Sequence, residues 1–187
     1  MPAILRSLQR LLKIFENENI PYMIIGGYAL PFYGRIRTTV DIDLAVAIKN
    51  RAELDALCNL LQSSDFETTI RSPQNPLIMI LDLREKVEMK LWLKPDGIAF
   101  DDETLRRRGK VKLDAKLEAW IVSPEDFIVN KLARPDRSVI DEQDVKSVLV
   151  RQEHKLNHEY LTKRAEKADV LAVLKTIQAE CNSSSLH

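Results

Sequence analysis

The sequence predicts an α+β fold: a mixed β-sheet flanked by helices over residues 1–122, followed by a helical region over 123–187 packed on it. Three observations predict it. The segments that read as strands, 22–25, 41–48, 66–70, 77–83, 87–93, 111–113 and 117–122, all precede residue 123. Helical periodicity opens the chain and returns after Asn50, so helices flank the strands rather than replace them. Ser123-Pro124-Glu125-Asp126 then marks a strong helix start, with Ser at the N-cap, Pro at the first helical position and Asp three residues after the Ser.

The elements follow in order. Ile4, Leu5, Leu8, Leu11, Leu12 and Phe15 recur at helical spacing, while Arg6, Arg10 and Lys13 interrupt every apolar run, which is an amphipathic helix and not a targeting signal. Residues 17–21 supply a turn before the first strand, and 28–33 leave room only for a short helix that Gly34 ends. Asn50 caps a helix to about Gln62, with Leu54, Leu57, Cys58 and Leu61 inward. Residues 72–76 are expected to form a loop. Arg84, Glu85 and Lys86 separate two apolar strands as a hairpin turn; on the second, Val87, Met89, Leu91 and Leu93 share one face and Glu88, Lys90 and Trp92 the other. Helices are expected over 127–133, 141–150 and twice within 157–180, with a Ser-rich frayed tail from Asn182.

Lys plus Arg number 28, as do Asp plus Glu, so no global field holds a polyanion and any nucleic acid must be gripped locally. The two cysteines, Cys58 and Cys181, are far apart and lack zinc-site spacing, which points to a reducing, cytoplasmic setting. No segment approaches the ~20 apolar residues of a membrane span.

The chemistry concentrates in residues 24–44. An apolar strand runs into Gly26-Gly27, then a short helix, then Gly34-Arg35-Ile36-Arg37-Thr38-Thr39, then Asp41-Ile42-Asp43. Glycines let backbone N–H groups approach a phosphate. Two carboxylates two apart on a strand point to one face and suit Mg²⁺, or Mn²⁺ in its place. Forked guanidinium donors suit a triphosphate.

This run resembles the nucleotidyltransferase superfamily related to DNA polymerase beta, whose signature is a Gly-Gly or Gly-Ser turn followed by Asp-x-Asp. It is most similar to the small bacterial and archaeal members, the minimal nucleotidyltransferases and the toxin-type enzymes of abortive-infection systems. Gly26, Gly27, Arg37, Thr38, Asp41 and Asp43 match directly, although Gly27 stands where many relatives have Ser. The resemblance implies a Mg²⁺-dependent transfer of a nucleoside monophosphate from a nucleoside triphosphate such as ATP, with pyrophosphate released. Asp41, Asp43 and Glu88 would be the catalytic and metal residues, with Glu88 replacing the usual Asp; Asp82, near the hairpin end, is the alternative third acid. Gly26, Gly27, Arg37, Thr38 and Lys131 would bind the triphosphate, Lys131 from a run, 130–144, that also holds Arg137, Asp141 and Asp144. The acceptor hydroxyl is left open among RNA such as a tRNA end, protein and small molecules, as is a cognate antitoxin. The rival reading is an idle nucleotide- or partner-binding module, and intact Asp41 and Asp43 count against it. Arg106, Arg107 and Arg108, with Lys110 and Lys112, form the one conspicuous basic cluster.

Overall fold

A computed structural model describes residues 1–39, 41–71 and 77–184. The first half runs α1 (Ala3–Asn17), β1 (Tyr22–Ile25), a 3-10 turn (Gly26–Tyr28), α2 (Leu30–Tyr33), β2 (Ile42–Val46), α3 (Arg51–Ser63), β3 (Phe66–Arg71), β4 (Leu77–Asp82) and β5 (Val87–Trp92). The second runs α4 (Asp102–Arg107), β6 (Gly109–Asp114), β7 (Leu117–Ile121), α5 (Pro124–Ala133), α6 (Val139–Gln152), α7 (His158–Lys167) and α8 (Leu171–Ser184). The expected loop at 72–76 lies outside the described residues.

The chain divides into a sheet unit, Met1–Ile25, Val40–Lys94 and Arg108–Ile121, and a helical unit, Gly26–Thr39, Pro95–Arg107 and Val122–His187. The helical unit therefore also recruits two earlier segments, one of which holds the Gly pair and both arginines of the basic turn.

In the sheet unit seven strands form one sheet, ordered β3-β4-β5-β2-β1-β7-β6. β1 pairs antiparallel with β2 and parallel with β7, and β2 pairs parallel with β5, so the sheet is mixed as the sequence predicts. Leu8, Leu11, Leu12 and Phe15 of α1 are buried, as are Met89 and Leu91 of β5, which follows from the two periodicities. Asn50 caps α3 by accepting from the Glu53 N–H. At the β4–β5 hairpin, the fully buried Asp82 accepts from the backbone N–H groups of Arg84 and Glu85 and from the Arg10 guanidinium at 2.5 Å. That carboxylate closes the turn.

In the helical unit Ser123 accepts from the Asp126 N–H, with Pro124 in the first turn, as its sequence signal requires. α6 starts two residues earlier than its apolar pattern suggests. Ser138 caps it, and Asp141 returns a bond to the Ser138 N–H, a reciprocal box that fixes the start at Val139. α8 continues to Ser184, past the expected fraying point at Asn182. α4 was not anticipated: 102–107 carries too few apolar residues to show a period. It is anchored through Asp101, which takes a two-bond fork from Arg164 of α7 at 2.6 Å each.

The Arg164 fork, followed by the Thr104 N–H, holds the Asp101 carboxyl well below the usual carboxylate range despite some burial. A depressed carboxyl stabilises fully above its unfolded value of about 4, and that stabilisation is lost as pH falls toward the folded value. Asp101→Asn is therefore expected to cost about 1–2 kcal/mol at pH 7, discounted for the half-exposed carboxylate. Its urea-unfolding free energy should also fall less steeply than the wild type's below pH 4. An equal slope in both proteins would remove Asp101 from the acid response.

Candidate active site

The sheet unit carries the carboxylates. Asp43 lies opposite Ile25 on one side and Lys90 on the other. Ile42 and Leu44 are fully buried, which leaves Asp43 on the opposite face of β2; the strand begins at Ile42, one residue later than its sequence pattern predicts, so Asp41 lies just before it and is exposed. Each acid meets a donor from β5: Trp92 Nε1–H donates to Asp43 Oδ1 at 2.9 Å, and Lys90 Nζ donates to Asp41 Oδ2 at 3.0 Å. The β5 side chains thus lean back one pleat, so that Trp92, level with Ala45, reaches Asp43. Glu88 shares that β5 face and is exposed. Among the described residues no three His, Cys, Asp or Glu side chains come together as a metal cluster, so Glu88 is not gathered with Asp41 and Asp43. The pair of hard oxygen donors still fits a Mg²⁺ ion that takes its other ligands from water and phosphate. Asp82, the weaker sequence candidate, is committed to the hairpin turn.

The helical unit carries the Gly pair and the arginines. Gly26 sits at φ +66°, a left-handed conformation that favours glycine. Gly27 has a different reason: a Cβ there would lie 2.6 Å from Thr39 Oγ1 and 2.8 Å from Thr39 Cβ. Close packing against Thr39 thus excludes a side chain at Gly27, where the sequence suggests the approach of a phosphate. α2 is only four residues long, so its dipole is small.

Arg35 and Arg37 converge on one carboxylate. Asp144 is fully buried, and its Oδ1 accepts from Arg35 Nε at 2.9 Å while Oδ2 accepts from Arg37 Nε and Nη2, each at 3.2 Å. Arg35 Nη1 continues to Gln143 Oε1 at 2.9 Å, and Arg37 Nη1 donates to the Thr38 carbonyl at 3.3 Å. Both guanidinium side chains remain about 30% exposed (33% and 29%), so they are fixed from behind and open in front.

Lys131 lies behind them. Its side chain is only 4% exposed, with Nζ at 2.7 Å from Asp141 and 3.4 Å from Asp144. The sequence expectation had it facing phosphate; in the structure its ammonium faces two carboxylates, the pairing that a buried cation requires. Burial opposes the charge of Asp141, but hydrogen bonds from Lys131 and Ser138 outweigh it and hold that carboxyl below the usual range. Asp144 is the residue that sequence reasoning undervalued. Its signal was the three-residue spacing from Asp141, which puts both acids on one helix face.

The basic cluster is largely engaged internally. In the helical unit Arg107 stacks on the Tyr160 ring at 4.0 Å. In the sheet unit Arg108 stacks on Trp120 at 4.8 Å and donates to the Tyr22 carbonyl at 2.6 Å. Arg106 is exposed.

A mixed sheet, with a Gly-Gly turn, a basic segment and Asp41-Ile42-Asp43 in that order along the chain, is the layout expected of a nucleotidyltransferase. The chain belongs to the family described as nucleotidyltransferase of unknown function (DUF6036), whose model matches residues 3–181. No curated protein sequence matches it significantly. Among solved structures it is similar to an antigenic nucleotidyltransferase-like protein from Paracoccidioides brasiliensis, with a TM-score of 0.59 and 18% identity over 97% of this chain and 90% of that one. The lincosamide antibiotic adenylyltransferase LnuA, bound to lincomycin, gives 0.51 and 13% identity over 76% and 94%. The antibiotic-resistance factor ANT(2'')-Ia gives 0.51 and 16% over 96% and 95%. At these identities the likeness is one of fold.

Proposed function

We propose that this nucleotidyltransferase moves a nucleoside monophosphate from a nucleoside triphosphate to an acceptor hydroxyl and requires Mg²⁺ or Mn²⁺. The observation that carries the reading is the carboxylate pair Asp41 and Asp43 at the start of β2, each met by a donor from β5, Lys90 and Trp92. These two acids would hold the ion, whose chemistry when bound is to neutralise charge at the reacting phosphoryl group. The acceptor oxygen bonds to the α-phosphorus, the bond from that phosphorus to the α,β-bridging oxygen breaks, and pyrophosphate leaves. Glu88 is the carboxylate we assign to receive the acceptor's proton. Gly26, Gly27, Arg37 and Thr38 take the triphosphate, and Lys131 supports that grip through Asp144. In this reading residues 1–122 form the catalytic core and 123–187 its accessory region.

The acceptor is a hydroxyl of RNA, protein or a small molecule; the antibiotic adenylyltransferases of the same fold favour including lincosamides and aminoglycosides among the candidates. A cytoplasmic setting accords with two cysteines, Cys58 and Cys181, that form no disulfide among the described residues. Among the described residues no helix is long and apolar enough to cross a membrane. The test is incubation with each α-³²P-labelled triphosphate, Mg²⁺ or Mn²⁺, and total RNA, total protein or antibiotic, followed by tracing of the label. Label on none of these acceptors and no triphosphate binding at millimolar concentration would put the idle-module reading in front. Co-expression of a neighbouring gene that relieves growth arrest would identify a toxin–antitoxin pair.

Glu88 supplies a prediction of its own. Glu88→Gln is expected to lower turnover about a hundredfold with little change in nucleotide affinity, and Glu88→Asp to keep part of the activity. Full activity in Glu88→Gln would make Glu88 an ordinary surface strand residue.

A further inference from the structure

We propose that Lys90 is a functional residue of the carboxylate site: its ammonium group takes the place of one of the two divalent cations that a bridging carboxylate pair can hold, so the enzyme loads a single metal ion with its nucleotide. This rests on the reading of Asp41 and Asp43 as metal ligands.

Three observations lead to it. Lys90 stands opposite Asp43 in the β2–β5 register, and its Nζ reaches Asp41 Oδ2 at 3.0 Å, so a full positive charge lies directly on one of the two acids. The outward face of β5 reads Glu88, Lys90, Trp92, which places a cation at the position level with Asp43; among the described residues no third ligand joins the pair. A two-ion site needs extra negative charge and carboxylates that bridge through both oxygens. Here Asp43 Oδ1 is engaged by the Trp92 indole and Asp41 Oδ2 by Lys90, so each acid has one oxygen committed to a β5 donor.

The residue type fits the role. An ammonium is a compact point charge with three donors, able to hold Asp41 and still donate to a phosphate oxygen, whereas a forked guanidinium would be consumed by a carboxylate. The Lys90 side chain is 30% exposed and that of Asp41 is 58% exposed, so neither is sealed away from an incoming nucleotide. A plain cross-strand pair would change Mn²⁺ affinity through its charge but leave the number of ions bound unchanged, so the count separates the two roles.

The experiment is a Mn²⁺ titration of the full chain followed by electron paramagnetic resonance, with each of the four α,β-methylene nucleoside triphosphates, which cannot undergo transfer. Wild type is expected to take up one ion per protein–nucleotide complex. Lys90→Met, which keeps the apolar stem, and Lys90→Gln are expected to take up two. Lys90→Arg, which keeps the charge, should remain at one. Without nucleotide, Lys90→Met should bind Mn²⁺ about tenfold more tightly than wild type, because a charge within a few ångströms of the ligands has gone. A wild-type count of two, or a count that stays at one in both Lys90→Met and Lys90→Gln, overturns the proposal. If Asp43→Asn abolishes uptake while the Lys90 variants leave it unchanged, the role of Lys90 alone falls. If wild type takes up no ion with any of the four analogues, the metal-ligand reading of the carboxylates falls with it.

Discussion

Asp43→Asn is expected to lower nucleotidyl transfer by about three orders of magnitude or more while leaving the protein folded. The substitution keeps the shape of the side chain and keeps an Oδ1 to accept from the Trp92 indole, so the contact that orients it survives. What it removes is the negative charge and one hard oxygen donor, the two properties on which a divalent ion depends. Asp43 is only partly buried and its strand neighbours Ile42 and Leu44 carry the packing, so stability should change by no more than about 0.5 kcal/mol. Thermal unfolding by circular dichroism together with Mn²⁺ affinity separates the two effects. A variant that keeps its activity, or one that unfolds, would remove Asp43 from the metal site.

The second large effect is expected at Asp144. Asp144→Ala removes the fully buried carboxylate that Arg35, Arg37 and Lys131 share, and a cluster of cations left with less counter-charge should cost about 3–5 kcal/mol, read by urea unfolding. Asp144→Asn is the more telling variant. It makes the surroundings more positive, so electrostatics alone predicts tighter binding of a triphosphate. A grip that depends on guanidinium groups held in place predicts weaker binding, because two long side chains must then be ordered at the moment of binding. We expect the second, a loss of about tenfold in Mg²⁺-ATP affinity by calorimetry. Tighter binding in Asp144→Asn would rule out a preorganised grip and leave Asp144 a structural acid.

Much of this protein was legible along the chain because its signals are local. The α1 period, the caps at Asn50 and Ser123 and the alternation in β5 each depend on residues within one or two turns or pleats, and each appears where those neighbours place it. The spacing of two predicts a common face for Asp41 and Asp43; β2 begins only at Ile42, and what the two acids share in the structure is a donor each from β5. Elements with weak local signal were missed or misplaced. α4 is held by the Arg164 fork across 63 positions of sequence. The start of α6 is a different case: its Ser138–Asp141 capping box is as local as the cap at Ser123, but the apolar pattern begins later and points to a later start.

The sequence by itself determined the α+β class, the strand that bears Asp43, and membership of a nucleotidyltransferase-type fold. Only the tertiary structure decided what each charged group faces. Arg35 and Arg37 are 109 and 107 positions from Asp144 and Lys131 is on the neighbouring helix, yet packing brings all three cations onto one buried carboxylate. Strand register decided that Lys90, and not Glu88, reaches Asp41, and that Trp92 reaches Asp43. The physical reason is the range of the interactions. Backbone preference and periodicity are set by near neighbours, whereas the partner of a charge is whatever the fold brings within about 4 Å, and desolvation makes that partner decisive once the group is buried.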